Sequence, residues 1–295
     1  MNLYATDKEY KERFDYFLEE VKNDEGNKLD EPTRYLAVLS VLMGNQGICA
    51  YEEVLEKALD VLSPVQVKEM VYQATDYLGY GRMLEFLKVT NEVFNKKGIE
   101  LPLESQTTTT IENRLEKGIQ AQVDIFGEHM NEAWKKATVN KWLASNCFGD
   151  YYTRTGLDLK QREMITFCFL YGQGGCEPQV MAHIQGNLNL GNDKAFLTNV
   201  VLQCVPYMGY PRSLNALACI SICMKYNISK DIIKSALQDF TGAHRRFEYK
   251  GKINNIASVY DDYGHHPTEI TATAKSLMNK KYNKSWVIFQ PHTYS

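Results

Sequence analysis

The chain contains an internal repeat, which constrains its fold more than any other feature of the sequence. Residues 71–84 read VYQATDYLGYGRML and residues 201–214 read VLQCVPYMGYPRSL, and these stretches agree at seven of fourteen positions without a gap. Upstream, GNQGIC ends at Cys49 and GQGGC ends at Cys176, and an arginine precedes each of them. Three matches in one order favour a tandem duplication, so one small fold should occur twice.

Hydrophobic periodicity predicts that both copies are helical. In the first copy, Ser63 and Pro64 form an N-cap and first-turn pair ahead of apolar residues at helical spacing. In the second copy, Asn192 is placed to cap the matching helix. The stretch KKGIELPLESQTTTT between the copies is polar and poor in helix formers, and it predicts a connecting arm.

Composition excludes several classes of protein. The 295 residues are 44% hydrophobic, which is enough for two or three compact units. The formal net charge of −3 gives no field that would gather nucleic acid or an anionic membrane. The N-terminus lacks the apolar run of a signal peptide, and the seven cysteines include no CxxC pair. We therefore expect a cytoplasmic protein with reduced thiols and with neither nucleic acid nor a membrane as a partner.

The second copy resembles the carboxymuconolactone decarboxylase family, and the first copy resembles it more faintly. The family pattern has an Arg-Glu pair at a helix start, a Glu-Pro turn, a histidine on the next helix, a glycine loop and a Tyr-x-Gly-x-Pro turn. The corresponding residues are Arg162, Glu163, Glu177, Pro178, His183, Gly191, Tyr207, Gly209 and Pro211. The resemblance covers about residues 30–225. It implies an all-helical fold, with active sites at contacts between subunits or repeats.

The resemblance implies a decarboxylase that needs neither a cofactor nor a metal. Loss of carbon dioxide from a carboxylated lactone leaves an oxyanion, which the site must stabilise before it delivers a proton. His183 is the only histidine between His129 and His244, and it is the candidate proton donor. Glu163 is the candidate that orients it. Candidate contacts to the substrate are Arg162, Arg212 and Glu177, with the arginines holding a carboxylate.

The sequence is also compatible with two alternatives. Alkylhydroperoxidase D, in the same superfamily, is a thiol peroxidase with a CxxC motif, and Cys176 is at the first cysteine position of that motif. The second position is Gln179, which cannot form the disulfide. Cys176 therefore remains a candidate single reactive thiol for an antioxidant. The first copy has Glu56 at the histidine position, so a non-catalytic oligomeric scaffold is the third hypothesis.

The end of the sequence resembles a different family, the UDP-N-acetylmuramate:L-alanine ligases. The resemblance is carried by RRFE, DDYGHHPTEI and FQPHTYS. It implies a remnant of a nucleotide-proximal region at Asp261, Asp262, His265 and His266. The glycine-rich GK[ST] loop that cradles ATP phosphates is absent from this sequence, so we do not expect ligase activity. Residues 256–260, 267–278 and 286–289 predict a strand, a helix and a strand, respectively.

We therefore predict an all-α fold of two tandem alkylhydroperoxidase D-like helical repeats with a short α/β appendage at the C-terminal end. The predicted segments are a first repeat over 1–96, an arm over 97–118, a second repeat over 119–226 and a ligase-like segment over 227–295. The predicted partners are a small-molecule substrate and further copies of the chain. A trimer is favoured because a duplicated chain would replace a family hexamer.

Overall fold

The computed structural model describes residues 3–226, 248–254, 256–262, 267–278 and 282–288. The chain divides into two units, Met1–Asn227 and Ile228–Ser295. Within the described residues, no helix is both long enough and apolar enough to cross a membrane.

The regular structure of the first unit is helical. Its first half contains α1 (Leu3–Thr6), α2 (Lys8–Lys22), α3 (Glu31–Gly44), α4 (Ile48–Ala58), α5 (Pro64–Leu78) and α6 (Tyr80–Lys96). Its second half contains α7 (Arg114–Phe126), α8 (Thr138–Trp142), a π-helix (Leu143–Tyr152), α9 (Leu159–Gln173), α10 (Glu177–Asn189), α11 (Lys194–Met208) and α12 (Tyr210–Tyr226). Two short 3₁₀ turns, Glu128–Met130 and Ala133–Lys135, connect α7 to α8.

Side-chain caps set the starts of the main helices. Ser63 and Gln66 form a capping box at the start of α5, with Pro64 in its first turn, as the sequence predicts. Asp158 and Gln161 form a second capping box at the start of α9. The expectation that Asn192 caps α11 is wrong: the carboxylate of the next residue, Asp193, accepts the hydrogen bond from the Phe196 N–H. A carboxylate is also the better partner for the positive end of a helix.

The four helices α3–α6 recur in the same order as α9–α12. The first helices of the two sets, α3 and α9, pack closely because each carries a glycine where they approach. A Cβ atom on Gly44 would lie 2.6 Å from the Phe169 carbonyl oxygen, and one on Gly172 would lie 3.0 Å from the Val41 carbonyl oxygen. The helical fold predicted from the sequence is therefore confirmed, and both sets contribute to one large hydrophobic core.

A second, smaller core lies beside α7. Its buried members are Ala121, Ile125, Cys147, Phe148 and Tyr152, which come from α7 and the π-helix. Because α7 begins at Arg114, the last five residues of the predicted arm over 97–118 are helical.

Two glycines allow α7 and the π-helix to touch through their backbones. A Cβ atom on Gly118 would lie 1.8 Å from the Ala144 carbonyl oxygen, and one on Gly149 would lie 2.1 Å from the Arg114 carbonyl oxygen. These obstructing atoms belong to the backbone, so a larger residue can be accommodated only if the two helices move apart.

Gly118→Ala is expected to destabilise the first unit by about 1–3 kcal/mol or more, because overpacking would displace the π-helix. Gly81→Ala is a matched control in α6, where a Cβ atom would meet nothing within 4 Å. The control should be neutral or stabilising by up to about 1 kcal/mol, because alanine is the better helix former. Urea unfolding followed by circular dichroism measures both changes; equal effects of the two substitutions would contradict the packing described.

The second unit contains a hairpin and a helix. Strands β1 (Glu248–Ile253) and β2 (Ala257–Asp261) pair antiparallel, and α13 spans Pro267–Met278. The predicted helix and the strand near 256–260 are confirmed, but β1 was not foreseen. The prediction of a strand over 286–289 is wrong for its described residues, 286–288, which have no regular structure. A strand needs a partner for its backbone groups, and Ile288 is 96% exposed.

Candidate active site

A buried carboxylate and an imidazole from neighbouring helices form the centre of the candidate site. Glu163 lies on α9 and His183 on α10, and the His183 Nδ1 is 2.8 Å from the Glu163 Oε2. The Glu163 side chain is 0% exposed, whereas the His183 side chain is 11% exposed. When Nδ1–H donates to the carboxylate, Nε2 is the ring nitrogen that remains available to a substrate. The sequence-predicted pair is therefore in contact.

The pair depends on close packing of α9 against α10. A Cβ atom on Gly186 would lie 2.5 Å from the Glu163 Oε2 and 2.9 Å from the Phe126 ring, so only glycine leaves room for the carboxylate. The Asn187 side-chain amide donates to the Glu163 carbonyl oxygen at 2.9 Å and to the His183 carbonyl oxygen at 2.8 Å. These bonds fix the register of the two helices and thereby position the His183 imidazole.

Aromatic rings from other helices enclose the imidazole. The Tyr77 ring, from α5 of the first repeat, lies 5.5 Å from the His183 ring in an edge-on arrangement. The Phe126 ring, from α7, lies 5.7 Å away, also edge-on. The site is thus assembled from both repeats. An apolar enclosure excludes water and strengthens the electrostatic interactions inside it.

The second oxygen of Glu163 is the start of a buried hydrogen-bond chain. The Tyr152 hydroxyl donates to the Glu163 Oε1 at 2.9 Å, and it is itself 2.9 Å from the Tyr77 hydroxyl. The Cys147 thiol donates to the Tyr77 oxygen at 3.4 Å. Burial raises the pKa values of Tyr77, Tyr152 and Cys147 well above their ordinary ranges, so all three groups remain protonated donors.

The sequence did not point to Tyr152 or Cys147, because both lie on the π-helix. Its wider turn breaks the helical period used to assign faces, and π-helical segments are frequent at functional sites. Tyr77 could have been found, because the repeat aligns it with Tyr207 of the family's Tyr-x-Gly-x-Pro turn.

Arg162, predicted to contact the substrate, lies in the interior with a 0% exposed side chain. Its guanidinium donates to the Gln73 Oε1 at 3.0 Å, to the Glu69 Oε2 at 3.0 Å and to the backbone carbonyl oxygens of Arg154 and Thr155. Burial lowers the pKa of Arg162, and the Glu69 carboxylate opposes this shift. Arg162 therefore joins the two repeats, and a substrate contact does not fit this position.

Cys176, Glu177 and Arg212 lie together, but in a different place from His183. They line a recess of about 30 Å³, the space of about one water molecule. Cys176 precedes His183 by seven residues on one helix, which is about 10 Å along its axis. Cys176 therefore takes no part in the contact between Glu163 and His183.

The Cys176 thiol has the environment of an unreactive cysteine. It donates to the Leu170 carbonyl oxygen at 3.3 Å, and burial raises its pKa. The Arg212 guanidinium donates to the Gly172 carbonyl oxygen, and Glu177 is exposed at the start of α10. Among the described cysteines, all seven thiols are free. A raised thiol pKa means less of the nucleophilic thiolate at neutral pH.

Asp76 lies close to the π-helix and should make the stability of the first unit depend on pH. Its Oδ1 accepts a hydrogen bond of 2.5 Å from the Asn146 side chain, and burial, followed by the charge of Asp150, raises its pKa from 3.8 to about 7. Between these two values the folded chain holds a proton that the unfolded chain has released. Stability should therefore fall as the pH rises from about 4 to about 7.

Asp76→Asn should remove this contribution. We expect the variant to gain stability relative to the parent chain on going from about pH 5 to about pH 8, because the parent must then bury a carboxylate. Urea unfolding of both proteins at the two pH values measures the difference. If the stability difference between the variant and the parent chain were the same at pH 5 and at pH 8, the raised pKa of Asp76 would be contradicted.

Of the four predicted ligase-like residues, all in the second unit, the structure describes two. Asp261 ends β2 and Asp262 follows it. His265 and His266 lie outside the described residues. Among the residues that the structure describes, no group of three or more His, Cys, Asp or Glu side chains is arranged to hold a metal ion.

Comparisons with known proteins agree with both resemblances. Residues 137–221 match the model of the carboxymuconolactone decarboxylase family. Residues 245–294 match the glutamate ligase domain of Mur ligases. The predicted resemblances are therefore confirmed, and the matched segment of the first family includes Glu163, Cys176 and His183.

Curated relatives of the C-terminal segment are UDP-N-acetylmuramate–L-alanine ligases. The protein from Clostridium beijerinckii is 50% identical over 99 residues, which are 34% of this chain and 21% of the relative. The protein from Acetivibrio thermocellus is 48% identical over 103 residues, 35% of this chain and 21% of the relative. The chain thus spans about a fifth of the length of these relatives. It joins a segment similar to the carboxymuconolactone decarboxylase family to a segment similar to part of a Mur ligase.

Proposed function

We propose that the first unit is a cofactor-free carboxy-lyase that acts on a small carboxylated lactone or keto acid. The observation that carries this proposal is the 2.8 Å contact between the buried Glu163 carboxylate and the partly exposed His183 imidazole. A fixed imidazole with one free nitrogen is suited to general acid catalysis.

The reaction has two steps in this proposal. The bond between the substrate carbon and its carboxylate breaks, carbon dioxide leaves, and the electron pair moves into the conjugated carbonyl group to form an enolate. A proton on His183 Nε2 then transfers to carbon, and solvent restores the proton to the imidazole. Glu163 acts as a positioning residue, because its carboxylate holds Nδ1–H and Tyr152 holds its other oxygen.

Thiol peroxidase activity through Cys176 is the second candidate, and the geometry favours it less. Its thiol has a raised pKa and donates to a backbone carbonyl oxygen, and Gln179 occupies the resolving position. A single protonated thiol is a slow nucleophile toward a hydroperoxide.

Cys176→Ser separates the two candidates. We expect the full chain to release carbon dioxide from carboxymuconolactone, and the variant to do so within about twofold of the parent rate, because Cys176 and His183 are about 10 Å apart along the axis of α10. Carbon dioxide release and hydroperoxide consumption should be measured on the same preparations. Hydroperoxide consumption that disappears in Cys176→Ser, with no carbon dioxide release by the parent, would replace the lyase proposal with the peroxidase. Absence of both activities would favour the scaffold.

We also propose that the first unit associates into a homo-oligomer, with a trimer favoured. Exposed apolar residues on α12 support this, since Tyr210 is 64% exposed and Leu214, one turn later, is 61% exposed. The mass in solution, from sedimentation equilibrium, distinguishes a trimer from a monomer. We propose that the segment over 245–294 has no ligase activity.

A further inference from the structure

A pocket of about 200 Å³ lies between α5 and the arm that connects the two repeats, away from the Glu163–His183 pair. We call it the arm pocket. Its lining includes Val65, Lys68, Tyr72, Leu103, Ser105 and Arg154. A water molecule occupies about 30 Å³ in the liquid, so the pocket has the volume of about six or seven waters. It is therefore large enough for a small organic ligand.

Lys68 lines the arm pocket, and its charge has no salt-bridge partner among the described residues. The residue is 7% exposed, and its ammonium donates to the neutral Asn91 side-chain oxygen. Within the described part of the chain, the carboxylate in the lining nearest to Lys68 in sequence, Glu69, is bound to Arg154 and Arg162. Its nitrogen lies 5.6 Å from the centre of the Tyr72 ring and 5.8 Å from that of Phe94. Burial lowers the pKa of Lys68, as expected for a buried cation without a counterion.

Arg154 is a second cation in the lining of the arm pocket, and it also lies near the Tyr72 ring. Its guanidinium carbon lies 5.5 Å from the centre of that ring. Two of its nitrogens bond Glu69 and the third donates to the Thr107 hydroxyl. Glu69 is also bound to Arg162, so one carboxylate serves two guanidinium groups. Three cations therefore lie in the pocket lining or bound to it: Lys68, Arg154 and Arg162. The carboxylates in the lining are Glu69 and the exposed Glu104.

The free donors determine which anion fits. The Arg154 edge that would bind a phosphate by two parallel bonds is already used on Glu69. The other donors in the lining include the Lys68 ammonium and the Ser105 hydroxyl. Val65, Leu103 and the Tyr72 ring form apolar walls around them. A carboxylate with a compact apolar body matches this combination better than a phosphate does.

We propose that the arm pocket binds a small monocarboxylate with an apolar body, whose carboxylate pairs with Lys68 and whose body packs on Val65, Tyr72 and Leu103. This site is separate from the proposed lyase site. The pairing would give Lys68 the counterion that the chain itself does not supply.

Benzoate and neutral benzamide are matched probes, because they have the same ring and differ in charge. Saturation-transfer NMR on the full chain should show saturable binding of benzoate and at least about tenfold weaker binding of benzamide. Lys68→Met keeps an unbranched side chain against Tyr72 and Phe94 and removes the charge. It should weaken benzoate binding at least about tenfold. Lys88→Met, at an exposed position on α6, should leave it unchanged.

Ser105→Phe provides a second test that does not touch the core, because Ser105 is exposed on the arm. The added ring would fill the opening of the arm pocket and should abolish benzoate binding even if Lys68→Met fails to fold. Absence of saturable benzoate binding to the parent chain would overturn the proposal. Benzoate binding that is equal in the parent chain and in Ser105→Phe would also overturn it.

Discussion

Glu69→Gln is expected to lower the free energy of unfolding of the first unit by about 3–5 kcal/mol, the cost of leaving a buried charge without its partner. Glu69 is 1% exposed and accepts hydrogen bonds from both Arg154 and Arg162. Arg162 is 0% exposed, so water cannot replace the lost carboxylate. The substitution keeps the shape of the side chain and removes only its charge. The loss should therefore report on electrostatics and not on packing.

The matched control for this prediction is Glu104→Gln. Glu104 lines the same pocket but is exposed, so its substitution should change stability by less than about 0.5 kcal/mol. Urea unfolding monitored by circular dichroism at neutral pH compares the two variants. A loss below about 1 kcal/mol for Glu69→Gln would show that the two arginines do not depend on this carboxylate.

His183→Gln is expected to reduce carbon dioxide release by about 10²–10⁴-fold, the usual contribution of a positioned general acid. Glutamine can still hydrogen-bond Glu163 but cannot deliver a proton at neutral pH, so the fold should be kept while the rate falls. His129→Gln, at an exposed position, is the matched control and should retain the parent rate. A fall in rate shared by both variants would point to a general effect on the protein.

Tyr152→Phe separates positioning from proton delivery. The variant removes one donor to Glu163 and leaves the His183 contact in place, so its rate should lie between those of the parent chain and His183→Gln. A rate as low as that of His183→Gln would mean that the Tyr152 hydroxyl takes part in the proton transfer itself.

Local signals in the sequence were sufficient to predict several of the helices. The capping box at Ser63 and the helix over 267–278 follow from residues that are neighbours in the chain. The Glu163–His183 contact was also predicted, but through the family resemblance. No local pattern places residues of two different helices at hydrogen-bond distance.

The site residues that the sequence did not predict are brought together by tertiary contacts. The hydrogen bond between Tyr77 and Tyr152 joins residues 75 apart in sequence and depends on how α5 meets the π-helix. The sequence could not decide the role of Arg162, because an arginine at a helix start can either bind a substrate or form an ion pair inside the protein. Its burial against Glu69, from the other repeat, is a property of the packed structure and cannot be read from the spacing of residues.

In the proposed mechanism, His183 delivers a proton from a fixed position to a carbon of the enolate that decarboxylation leaves. Decarboxylation of carboxymuconolactone by the full chain in deuterium oxide tests it most directly. We predict one deuterium per product molecule at the carbon that accepts the proton, in a single configuration, and loss of turnover in His183→Gln. Deuterium of mixed configuration in the product of the parent chain, with an undiminished rate in His183→Gln, would contradict the account.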